Sequence, residues 1–126
     1  MMQHLVFIAV GGACGALARY GLTTHAHNLW GSSWPLGTLV VNAGGSLLVG
    51  VIFVMLERAV LHPDWRSVLM VGFLGAFTTF STFSLETVEL WLQGQPGMAA
   101  AYALASVFCC VAAAAIGIYF TRSLLG

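Results

Sequence analysis

Four apolar stretches, each close to the ~20 residues that cross a hydrocarbon core, fill almost all of this sequence: Leu5 to Leu22, Leu36 to Leu56, Ser67 to Leu92 and Met98 to Phe120. Inside lipid every backbone N–H and C=O must be satisfied within its own segment or in a closed barrel, and runs of this length and even apolarity are helices. The pattern predicts an all-α integral membrane protein whose single transmembrane domain covers residues 1–126. Only 6% of the residues are charged and 60% are hydrophobic, so little is left from which to build a soluble lobe.

The boundaries have independent support. Trp30, Trp34, Trp65, Trp91 and Tyr20 fall near the ends of the stretches, where amphipathic rings favour the headgroup zone. The connections carry turn chemistry: Gly31-Ser32-Ser33-Trp34-Pro35, His62-Pro63-Asp64 and Gln93-Gly94-Gln95-Pro96-Gly97. Arg58, Arg66 and Arg122 lie toward one side and Arg19 toward the other, a small bias that leaves orientation weakly specified and allows insertion in both directions. The first stretch lacks a basic leader segment and is expected to be a retained helix. With no Lys, four scattered Arg residues and zero net charge, nothing resembles a basic patch for nucleic acid. Cys14, Cys109 and Cys110 are odd in number and sit in apolar surroundings, which argues against a disulfide framework.

Polar residues inside the spans carry the functional signal. In the third, GFLGAFTTFSTFS (Gly72 to Ser84) sets Thr78, Thr79, Ser81, Thr82 and Ser84 among Phe77, Phe80 and Phe83. Gly72 and Gly75 can let such a helix loosen and turn carbonyls toward a ligand. In the second, Thr38, Asn42, Ser46 and Gly50 recur every four residues along one helix face. In the fourth, Tyr102, Ser106, Cys110 and Ala114 repeat that spacing. Hydroxyls of this kind also serve as ordinary packing glue, bonded to their own i−4 carbonyls. Asn42 is more demanding, because a carboxamide in the membrane interior has four hydrogen-bonding positions to fill. Gly11 and Gly15 form a GxxxG packing face in the first span.

The ionisable residues discriminate between transport classes. A proton-coupled carrier or a carrier of cations ordinarily holds a carboxylate near the midplane, whereas Glu86 and Glu89 lie toward the end of the third span and Glu57 flanks the second. Neutral amide, hydroxyl and phenol donors can replace water around an anion without trapping it, and conduction needs release as well as binding. Phe80 and Phe83, three residues apart, can present the positive edges of their rings along such a path, or else face lipid. No nucleophile with a general base is present, and no enzymatic step is expected.

The stretches GTLVVNAGGSLLVG (Gly37 to Gly50), GFLGAFTTFSTFS and GGACGALARY (Gly11 to Tyr20) closely resemble the fluoride-specific channel family called Fluc or CrcB. The resemblance runs the length of the chain, and its TTFSTF hexapeptide is highly specific. It implies four helices with a break in the third, an antiparallel, dual-topology homodimer, and passive export of fluoride across the bacterial inner membrane. By the same resemblance Phe80 and Phe83 are the paired rings of the fluoride path, and Asn42 is the amide that orients them and donates to the ion. Ser81 and Thr82 supply hydroxyls, beside Thr79; the polar track runs through Thr38, Tyr102, Ser106 and Cys110. Arg19 and Glu86 belong to a vestibule, and Gly75 and Thr78 offer main-chain carbonyls from both subunits to a central Na⁺.

This sequence departs from the family pattern where Cys110 and Ala114 replace hydroxyl residues on the fourth span, and where Ala76 stands in place of a second Gly after Gly75. Two other classes compete. A small proton-coupled multidrug antiporter is also a short four-helix dimer but needs an acidic residue in its first helix, and this first helix has none. A structural or lipid-scaffold protein would use the same glycine faces without ion flux.

Overall fold

A computed structural model describes residues 1–31 and 34–126, so the Ser32-Ser33 part of the first predicted connection lies outside the described residues. The chain forms α1 (Met2–Trp30), α2 (Leu36–Glu57), a π-helical segment (Arg66–Leu74) that runs into one α turn, α3 (Gly75–Phe77), then α4 (Phe80–Leu92) and α5 (Pro96–Leu125). Among the described residues there is no strand. Four spans are long and apolar enough to cross a membrane, with Arg66–Leu92 counted as one.

The third span begins and ends within a residue of its expected limits, while the first and fourth run longer. Hydropathy falls after Leu22 because Thr23, Thr24, His25, His27 and Asn28 are polar, yet no helix breaker comes before Gly31. There φ is 76°, and the Gly31 N–H closes the helix on the His27 carbonyl at 2.9 Å. The 29 residues of α1 extend roughly 44 Å, more than the ~30 Å of hydrocarbon, so its polar last turns stand outside it. Pro96 opens α5 in the first turn, where its missing N–H costs nothing.

Glycine decides which helices touch. A Cβ on Gly11 or Gly15 would strike the carbonyl oxygens of Val68 and Phe73, and Gly72 faces back onto the Ile8 carbonyl and the Gly11 Cα. So α1 lies backbone to backbone on the third span. Gly50 against the Ala114 carbonyl, and Gly117 against the Leu47 carbonyl, join α2 to α5 in the same way. Val41, Ile52, Leu74 and Phe77 fill the space between the two pairs.

One end of the bundle gathers both termini and the connection after α2. His4 Nδ1 lies 2.9 Å from Ser67 Oγ, Arg58 donates to the Gly126 carbonyl at 3.2 Å, and Arg122 bridges to Glu57 at 3.1 Å.

Candidate ion pathway

The third span breaks at two residues. Thr78 (φ −84°, ψ 153°) and Thr79 (φ −147°, ψ 111°) are extended between α3 and α4. Gly75 itself stays helical (φ −60°, ψ −37°), so the glycine does not bend; the chain leaves the helix three residues later. Thr78 still closes the last turn, donating from both N–H (3.0 Å) and Oγ1 (2.9 Å) to the Leu74 carbonyl. Its γ-methyl occupies the space where Gly45 of α2 has no side chain.

Asn42 holds the break open. Its Nδ2 donates to the Thr79 carbonyl at 3.0 Å and its Oδ1 accepts the Thr79 N–H at 2.7 Å, pairing with that peptide as a neighbouring strand would. Two of the carboxamide's four positions are thereby used, leaving one N–H and one acceptor site. Because the Thr79 N–H turns to Asn42, the Gly75 carbonyl loses the i+4 donor of a continuous helix. The Ala76 carbonyl accepts instead from Arg19 Nε, 3.0 Å away.

Thr79 then caps α4. Its Oγ1 accepts from the Thr82 N–H at 3.2 Å, donates to Thr82 Oγ1 at 3.0 Å and lies 3.3 Å from Ser81 Oγ. A cluster of hydroxyls therefore surrounds the positive end of a helix at membrane depth.

Two recesses meet at Thr79. A cavity of about 650 Å³ is lined by Arg19, Thr38, Thr79, Thr82 and Glu86, together with His27, Gln93 and Gln95. A second cavity of about 360 Å³ gathers Asn42, Gly75, Thr78, Thr79, Phe80, Phe83, Ser106 and Cys110, together with Ser46. Tyr102, fully buried, stands between them: its hydroxyl donates to Glu86 Oε1 at 3.1 Å and its ring meets Phe83 at 5.3 Å. Phe80 and Phe83 are also 5.3 Å apart and tilted by 54°, and Trp34 sets its edge on Tyr102 at 6.1 Å, which makes a row of four rings. Phe80 is 77% exposed, and Ser81 and Gly75 share that uncovered side of the third span.

Thus Thr38, Arg19 and Glu86 fall in the wider cavity, while Asn42, Phe80, Phe83, Ser106 and Cys110 share the narrower one. Ser81 reaches the second group only through Thr79. The contacts of Arg19 with Ala76 and of Gly45 with Thr78 had no local signal in the sequence, since each joins residues more than 30 positions apart. Trp34 was expected as an interface anchor only, with no hint of its contact with Tyr102.

A family described as CrcB-like protein, Camphor Resistance (CrcB), matches residues 6–118. A relative from Hahella chejuensis, named fluoride-specific ion channel FluC, is 48% identical over 125 residues, 98% of either chain. Relatives of the same name from Saccharophagus degradans and Coxiella burnetii are 45% and 43% identical. The first match covers 94% of this chain and 89% of the relative, the second 97% and 100%. With the match continuous through both cavities and the broken helix, the chain belongs to the CrcB family.

Proposed function

We propose that this chain is a fluoride channel of the bacterial inner membrane, passing F⁻ passively and lowering its toxicity in the cytoplasm. The observation that carries this reading is the Thr79 junction. An uncharged amide, a knot of hydroxyls, a helix N-terminus and the edges of two phenylalanines converge there at membrane depth. Such donors replace the water of a small anion and still release it, because none is a fixed cation. The names of the FluC relatives point to the same ion. The antiporter alternative has no carboxylate in α1 with which to exchange a proton.

The working form in this reading is an antiparallel, dual-topology homodimer. Support comes from the exposed Gly75 backbone on the uncovered side of the third span, whose carbonyl has lost its helical donor and would otherwise face hydrocarbon, a costly place for an unsatisfied polar group. A second copy across a two-fold axis would cover this side and complete both pathways.

Na⁺ fits the same place. The Gly75 carbonyl is released from the helical ladder by the Asn42 contact, and ψ of 153° turns the Thr78 carbonyl away from the helix. Neutral carbonyl oxygens are hard donors that suit Na⁺, and two subunits would supply four. The ion would hold the broken segments in register at the dimer centre; Asn42, Thr79 and the phenylalanines act on the anion.

Expression in a fluoride-sensitive strain tests the function. Growth restored in fluoride but not in a toxic cationic dye is expected; rescue from the dye alone would favour the antiporter.

A further inference from the structure

Ser106 is only 6% exposed, and its Oγ is buried without a hydrogen-bond partner among the described residues. It lines the narrower cavity with Asn42 and Thr79. The Asn42 amide and the Thr78 and Thr79 hydroxyls on the same lining give water or an ion polar partners within the cavity. Four residues on, one turn along the same face of α5, Cys110 lines that cavity as well. Cys14 and Cys109 are exposed on the outer surface of the bundle and do not line this cavity.

From this we infer that Cys110 is a binding site for soft, thiophilic metal cations, and that occupying it closes the anion path. The inference rests on the channel reading for its consequence but not for its chemistry. A mercuric ion reaching the wet cavity displaces the thiol proton: the S–H bond breaks, an S–Hg bond forms, the proton passes to water and no oxidation state changes. The bound ion is larger than the thiol hydrogen and takes up space in the cavity that Cys110 lines with Asn42, Ser106 and the two phenylalanines, so it obstructs passage there. A hydroxyl at position 110 would be inert toward the same ion, so the thiol makes this pathway open to a poison that an all-hydroxyl track would ignore.

The test uses purified protein in liposomes, with Hg²⁺ as the probe and two readouts. Fluoride efflux is expressed for each variant as the ratio of treated to untreated rate, and bound mercury is located by mass spectrometry of the intact chain and its fragments. Near-complete loss of efflux is expected for the unaltered protein, with recovery on adding excess dithiothreitol. The same loss is expected for Cys14→Ser and Cys109→Ser, and none for Cys110→Ser. Cys110→Ala stands in if the serine variant does not fold. Block that persists without Cys110, or mercury on Cys110 with efflux unchanged, overturns the inference, as does absence of mercury from Cys110. No fluoride efflux from untreated protein overturns the channel reading instead, and the labelling result then still decides whether Cys110 binds the metal.

Discussion

Arg19 Nε lies 3.0 Å from the Ala76 carbonyl oxygen, so a cation carried on α1 closes the end of a helix fragment in another span. A continuous third helix would offer that carbonyl the N–H of Phe80, and the extended Thr78 and Thr79 remove it. Positive charge beside a helix C-terminus is favourable in its own right. Arg19→Ala should cost about 1–3 kcal/mol by leaving the carbonyl unpaired, with Arg19→Lys recovering part of it. Thermal unfolding in detergent would measure both, and equal stability of all three proteins would leave Arg19 without this role.

Asn42→Asp keeps the acceptor for the Thr79 N–H and replaces the donor to the Thr79 carbonyl with an oxygen. A loss of about 1–3 kcal/mol is expected from that one mismatch, together with a fall in fluoride efflux. Unfolding and flux should move together, since one side chain holds the break and faces the cavity.

Phe80 and Phe83 should separate stability from conduction. Phe80 is largely uncovered, whereas Phe83 packs on Tyr102. Phe80→Ile is expected to abolish fluoride efflux with little change in unfolding, and Phe83→Ile to abolish it with a measurable loss of stability. Unchanged efflux in both would remove the rings from the mechanism.

Neighbouring glycines of α1 should differ sharply. Gly15→Ala drives a methyl into the Phe73 carbonyl, while the nearest atom to a Cβ on Gly12 is the Gly72 oxygen at 3.8 Å. The first should lose most of its folded yield in size-exclusion chromatography, and the second should keep it.

Exhaustive removal of Na⁺ should end fluoride efflux from proteoliposomes, with activity returning on its readdition. Full activity in Na⁺-free buffer would exclude the ion held by Gly75 and Thr78.

The four spans were legible because apolar length is a local rule; the loosening expected at Gly72 and Gly75 falls instead at Thr78 and Thr79, while both glycines stay within helix. The outer end of α1 was not legible, since a polar helix that leaves the bilayer loses hydropathy before it loses helical structure, and only Gly31 marks the stop. The π-helical winding of Arg66–Leu74 has no residue signature in the chain; the close approach of the Val68 carbonyl to Gly11 appears only in three dimensions. Spacing four along α2 and α5 placed Asn42 and Ser106 on polar faces. That Asn42 would use half its capacity on one peptide 37 positions away depended on how α2 lies against the third span.

Anion selectivity is the most direct measurement. Purified protein in liposomes loaded with equal fluoride and chloride should release fluoride rapidly and retain chloride over the same interval. Release of both at similar rates, or of neither, would contradict a path built to strip water from a small anion.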